Sequence, residues 1–220
     1  MEPTTTKERI LMTSMSLFAE QGFAEISLRT ITTAAGVNLA AVNYHFGSKT
    51  DLIRTIIRRV LDPINAQQLQ LLDDLEKTTL SPSIVELLTA FSIPVLELME
   101  PQHTFDQTQA RLFSRIMINP GNDILQMAFE EVTNVDQRYL PAFGRVLPHL
   151  GPDELQWRYR STIVVLVSHW ADLSTALYTD KLPVVDDRRY HAWMLTFLEA
   201  ALCAPATRMI NTQHTTEKAG

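Results

Sequence analysis

The sequence predicts an all-α protein: an N-terminal three-helix head of the helix-turn-helix kind, followed by a larger C-terminal helical body. Three observations predict it. Apolar residues recur at helical spacing along most of the chain, as in Leu52/Ile53, Ile56/Ile57 and Val60/Leu61. No repeated or strand-rich segment interrupts them, and 45% hydrophobic residues with only 7 glycines in 220 suit a helical fold. Residues 27–49 read as two short helices about a tight turn, which is either a helix-turn-helix, where one helix braces and the next enters a DNA major groove, or an ordinary αα-hairpin in a helical core.

The elements follow in order. A first helix is expected over 4–21, with Ile10, Leu11, Leu17 and Phe18 on one face around small Ser14. Gly22 stops it, and Phe23 packs back into a core so small that nearly every apolar side chain is needed. Ser27 is a good N-cap for Leu28, Ile31 and Ala35, and Gly36 supplies the left-handed residue of a helix end. Asn38 caps a second short helix, 39–45, which turns Val42 inward. A long helix over 48–77 joins head to body with no Gly/Ser linker, and Pro63 inside it predicts a kink. Ser81-Pro82 opens a helix to about residue 99, with a second kink at Pro94. Further helices are expected over 104–118, over 123–139 with an interruption at Pro141, over 152–178, and from Asp186 or Asp187 to 203. Residues 204–220 are polar, aperiodic and expected to fray. The division that results is 1–48 for the helix-turn-helix, 49–203 for the body with 49–77 as connecting helix, and 204–220 for the tail.

Composition excludes several classes. No apolar run approaches the ~20 residues of a membrane span, and MEPTTTKER holds no signal-peptide core, so a cytoplasmic protein is expected. Cys203 is the single cysteine, which rules out an internal disulfide framework, and it is expected to be buried. The net charge is −6, but residues 1–60 carry seven Lys/Arg against five Asp/Glu, or +2, leaving −8 for the rest. A basic head on an acidic body orients a molecule on DNA. His169 and Asp172 can touch on one helix face, but no nucleophile is placed beside them, and the remaining histidines lack metal spacing. No catalytic residue, metal site or cofactor is expected, and a helical enzyme carrying a helix-turn-helix is the remote alternative.

The run GVNLAAVNYHFGSKTDLI, with RILMTSMSLFAEQGFAEISLRTITTAAG before it, resembles the DNA-binding signature of the TetR/AcrR family of bacterial regulators. Within that family AGVNLAAVNYHFGSK is most similar to the fatty-acid-responsive, PsrA-like repressors. Matched onto the family pattern, Arg29, Asn38, Leu39, Ala40, Ala41 and Asn43 lie where bases are met, and Tyr44, His45 and Lys49 where phosphates and sugars are met. Their chemistry agrees: Arg29 can fork onto guanine, Asn38 and Asn43 can pair with adenine, and the alanines can meet thymine methyls. Tyr44 and Lys49 suit phosphates. The family often has tyrosine where this chain has Asn43, which puts one usual phosphate contact in doubt. His45 either touches DNA or locks the turn into the long helix.

The resemblance also implies an effector cavity and a dimer. Phe91, Met99, Phe105, Phe113, Met117, Met127, Phe129 and Trp170 are the candidate lining, since methionine and aromatic side chains suit an adaptable apolar pocket; they equally suit an ordinary core. Arg111 and Arg115 share a helix face, for a ligand carboxylate or for structural bonds. The last two long helices are the implied dimer face, through Ile163, Val167, Ala171, Ser174, Trp193, Phe197 and Ala201, with the split between dimer face and core left open. The implied function is a homodimeric repressor released from a palindromic operator in double-stranded DNA by an apolar or amphipathic effector such as a fatty acid or acyl compound. A DNA-binding dimer with no small-molecule effector is the alternative.

Overall fold

The computed structural model describes residues 5–99, 107–118, 121–176 and 187–207, with the backbone alone at 99, 107, 118, 169–176 and 187–188. The described residues form nine helices and no strand: α1 (Thr6–Gln21), α2 (Leu28–Ala35), α3 (Leu39–Phe46), α4 (Lys49–Thr78), α5 (Ile84–Met99), α6 (Gln107–Ile118), α7 (Asn122–Val146), α8 (Pro152–Ala176) and α9 (Asp187–Cys203).

Local chemistry sets the ends of the head helices. Thr5, Ser27, Asn38 and Ser48 each stand in extended backbone, and each side chain accepts a backbone N–H from the first turn that follows. Gly36 takes the left-handed conformation at φ 62°, and the N–H of Val37 returns to the Thr32 carbonyl at 3.0 Å, closing the helix-turn-helix corner. Ile10, Phe18, Ile31, Val42, Leu52 and Ile56 are all fully buried and lock α1, α2, α3 and the start of α4 together.

α4 is the spine. It packs on α1 and α3 in the head and on α5, α6 and α7 in the body, and its buried residues run from Leu52 to Leu72. Gln68 ties it inward: its side-chain amide donates to the Phe91 carbonyl at 2.7 Å, and its own carbonyl accepts from the Tyr139 hydroxyl at 2.9 Å. Phe91, Tyr139, Phe143 and Tyr159 pack as an aromatic cluster in the body's centre. The Tyr159 hydroxyl donates to Asp136 at 2.8 Å; burial raises the Asp136 carboxyl above its usual range, and this hydrogen bond opposes the rise.

Several expectations need correction. The α5 cap is Ser83, not Ser81: Ser83 and Glu86 bond reciprocally, the Ser83 N–H to the Glu86 carboxylate at 2.7 Å and the Glu86 N–H to the Ser83 hydroxyl at 3.2 Å. α7 does not break at Pro141 but continues to Val146. The proline costs about 3 kcal/mol, but Pro141 and Gln137, whose carbonyl loses its bond, are exposed. Continuing the helix buries Ala142 and Phe143, and a fully buried Phe contributes about 1.5–3 kcal/mol. Cys203 is exposed, because α9 buries Leu198 and Leu202 instead. The start of the tail is held rather than loose: the buried Arg158 guanidinium donates to the carbonyls of Ala204 and Pro205 at 2.7 and 2.8 Å, and the Thr207 N–H reaches Glu154. The rest of the tail lies outside the described residues.

Candidate nucleic-acid interface

α3 is only eight residues long, and Val42 and Phe46 fix its rotation by burying one side. That rotation leaves Leu39, Ala40, Asn43 and Tyr44 in solvent, with Tyr44 at 85% exposure. An exposed surface of one amide, one phenol and two aliphatic groups at the front of a helix suits base edges, thymine methyls and a phosphate. Arg29 is exposed in the first turn of α2.

Four other sequence-predicted residues are differently employed. The Asn38 side-chain oxygen is committed to capping α3, accepting from Ala41 at 2.9 Å, so only its NH₂ remains for a base. Ala41 is half-buried against the core, so its methyl is partly withdrawn. His45 is half-buried, its ring edge-on to those of its neighbours Tyr44 at 5.0 Å and Phe46 at 6.5 Å. Lys49 departs most: its ammonium donates to the Phe23 carbonyl at 2.9 Å, with the Phe18 ring centroid 6.0 Å away. It holds the α1–α2 corner to α4.

Ion pairs strap the long helix to the body. Arg54 meets Glu130 at 2.6 Å and Arg58 meets Glu131 at 2.9 Å, while the Asn65 amide donates to the Glu131 carbonyl. Hydrogen bonding from Arg54 holds the Glu130 carboxyl below its usual range. Further along, Arg138 and Arg145 both reach Glu76.

Among the described residues, the candidate effector lining is spread over several surroundings. Phe91 and Phe113 are core residues, the first against Tyr139 and Tyr159. Met117 is half-buried beside the core. Phe129 is 55% exposed on the outside of α7, which removes it from any enclosed lining. The rotation of α7 explains this: Ile124, Met127, Ala128 and Val135 already fill its inner side. Met127 borders an open recess of about 590 Å³ between head and body, shared with Phe23, Lys49, Ile53 and Arg54. The side chains of Met99, Phe105 and Trp170 lie outside the described residues, as do those of His169 and Asp172.

The outer side of α8 and α9 carries large apolar groups in solvent. Trp157, Val164, Trp193 and Phe197 are exposed, Trp157 at 69% and Phe197 at 61%, beside exposed Ala201. Trp157, Phe197 and Ala201 border an open groove of about 660 Å³. Ile163 and Val167 are half-buried against the chain's own core, and Val164 is exposed. The side chains of Ala171 and Ser174 lie outside the described residues. Trp157 was missed, though its seven-residue spacing to Val164 put both on one side of a helix. Arg115 donates to the carbonyls of Ala19 and Glu20 at the end of α1.

A capped helix-turn-helix head on an all-helical body is the architecture of the one-component bacterial regulators. Residues 10–56 match the family model for bacterial regulatory proteins of the tetR family, and residues 89–201 match that of the tetracyclin repressor-like C-terminal domain. The chain belongs to the TetR family. Similar proteins include the HTH-type transcriptional repressor KstR2 of Mycolicibacterium smegmatis, 27% identical over 140 residues that cover 62% of this chain and 62% of that protein. The HTH-type transcriptional regulator SrpR of Pseudomonas putida is 25% identical over 149 residues, covering 67% of this chain and 62% of its own. The chain thus spans about three-fifths of the length of these two relatives. Among solved structures, SmeT, the repressor of the Stenotrophomonas maltophilia multidrug efflux pump SmeDEF, superposes with a TM-score of 0.63 at 22% identity over 92% of this chain and 95% of that one. GusR of Salmonella enterica gives 0.58 at 22% identity over 92% and 95%. At these identities the likeness concerns the fold. No helix among the described residues is long and apolar enough to cross a membrane.

Proposed function

We propose that this chain is a DNA-binding transcriptional regulator that represses by occupying a palindromic operator as a homodimer. The observation that carries the reading is the capped α2–turn–α3 unit with Leu39, Ala40, Asn43 and Tyr44 in solvent. Residues 1–48 act as the reading head and 49–203 as the body that pairs two heads. The exposed Trp157, Val164, Trp193 and Phe197, of which Trp157 and Phe197 border one groove, support pairing through α8 and α9, since large apolar side chains are costly to leave in water. Two heads set about 34–36 Å apart meet successive major grooves.

The release signal we propose is an apolar or amphipathic small molecule of the fatty-acid or acyl class, taken into the body and lowering DNA affinity by linkage. Met117 and Met127 supply adaptable side chains in that body. The close packing of Phe91 on Tyr139 and Tyr159 favours a second reading, a DNA-binding dimer with no effector.

One experiment separates them. Duplexes retained by the protein from a random pool are sequenced, and the complex is then titrated with oleate and with oleoyl-CoA. Inverted half-sites about 10 base pairs apart, released by either compound, support the first reading. Inverted half-sites indifferent to both and to a broader apolar panel support the second. No enriched duplex removes both.

A further inference from the structure

Covalently, head and body meet only through α4. A second attachment lies between α1 and α6, which pack against each other. Arg115, in the last turn of α6, donates through Nε to the Ala19 carbonyl and through Nη2 to the Glu20 carbonyl, each at 2.7 Å. Both belong to the last four carbonyls of α1, which have no partner within the helix. α1 has no basic residue in its own last turn, so the positive charge at its negative end comes from the body.

Gly22 fits the same arrangement. It closes α1 at φ 91°, and a Cβ built there would come within 3.3 Å of Arg115 Nη1. One residue on, the Phe23 carbonyl accepts from Lys49 of α4. The corner between α1 and α2 is therefore gripped twice, by α6 through Arg115 and by α4 through Lys49.

We infer that Arg115 is a positioning residue that fixes the tilt of the reading head against the body. A rigid head held by α4 alone would swing about it, Pro63 having removed one hydrogen bond from that helix, but α1 also packs along α6, with Arg115 at the end of that contact. A second attachment off the α4 axis stops that swing. With Arg115 engaged, the head tilts only if α6 travels with α1 or if two charge-assisted hydrogen bonds break. Any rearrangement of α6 in the body is thereby felt at the DNA. This rests on the reading of the chain as a dimeric DNA binder.

The test uses the full chain carrying Cys203→Ser and a spin label at Thr33→Cys, an exposed position on α2. Distances between the two labels of a dimer are recorded with and without the duplex selected from the random pool. The parent gives a narrow distribution. Arg115→Ala at least doubles its width without DNA, returns to the parental distance on the duplex, and binds that duplex about tenfold more weakly. Arg115→Lys, which can serve only one carbonyl well, falls between.

A merely structural cap at α1 would lower the melting temperature and leave the distances alone. An Arg115→Ala distribution as narrow as the parent's therefore overturns the latch while the regulator reading stands. Where Arg115→Ala loses helix by circular dichroism, Arg115→Gln, which keeps most of the aliphatic stem and loses the charged fork, is read instead; broadening supports the latch and an unchanged width overturns it. A parent that gives no distance between protomers or selects no duplex overturns the regulator reading and the latch with it.

Discussion

The head's α3 and the body's α8–α9 pair both present a bare surface to solvent, and they do so with opposite chemistry. α3 sends Val42 and Phe46 inward and keeps small, amide and phenol groups outside. α8 and α9 also fill a core, with Leu166, Leu198 and Leu202, yet leave Trp157, Trp193 and Phe197 outside. The first surface tolerates water and suits a polyanion read at its base edges. The second is costly to leave wet and suits another apolar surface. The difference teaches that one chain can leave two kinds of surface bare, one fit for discrimination and one for adhesion, the roles we propose for them.

The strongest way to break the comparison is to charge the adhesive side. Trp193→Glu with Phe197→Glu places two carboxylates where we propose a dimer core, and leaves the chain's own core untouched because both side chains point outward. Sedimentation at micromolar concentration is expected to show a folded monomer in place of a dimer. Affinity for a palindromic duplex falls by at least a hundredfold, since the second head is no longer held at high effective concentration. A double variant that stays dimeric moves the interface elsewhere and leaves α8–α9 without a role.

The discriminating side is sharpened by a smaller change. Asn43→Ala removes an exposed amide that we propose reads an adenine, and is expected to cost about 1–3 kcal/mol on the preferred duplex. The loss is confined to one base position per half-site. Equal weakening on every duplex makes Asn43 a backbone contact.

The two regions were also unequally legible in the sequence. Helix ends in the head announced themselves because a cap is a local device: Ser27, Gly36 and Asn38 act within three residues of where they stand. The same logic placed the α5 start two residues early, since Ser81-Pro82 looks like a start signal and only the Ser83–Glu86 pair actually closes the cap. In the body, periodicity gave the helices but not their rotation. Met127 and Phe129 lie two residues apart on α7 and end on opposite sides of it, one buried and one exposed. Ile163 and Val164 divide in the same way on α8. Both choices are set by neighbouring helices far away in sequence, which a local pattern does not contain. Pro141 failed for that reason too, its local cost being outweighed by the burial of Phe143.

Lys49 carries the smallest expected effect and the most pointed test of where the discriminating surface ends. The family resemblance implies a phosphate partner there, whereas the structure spends its ammonium on the Phe23 carbonyl inside the head. The two roles differ in their salt dependence. A lysine that neutralises a phosphate releases a counterion, so its removal flattens log affinity against log salt by roughly 0.9 per protomer, or about two units for a dimer. A lysine that only braces the α1–α2 corner leaves that slope alone. Its loss instead loosens the corner, lowering the melting temperature by a few degrees and operator affinity by a few fold. We therefore expect Lys49→Met, which keeps the aliphatic stem near Phe18, to bind with an unchanged salt slope and a lower melting temperature. A slope shallower by about two with an unchanged melting temperature would return Lys49 to the DNA interface and extend the reading surface from α3 into the first turn of α4.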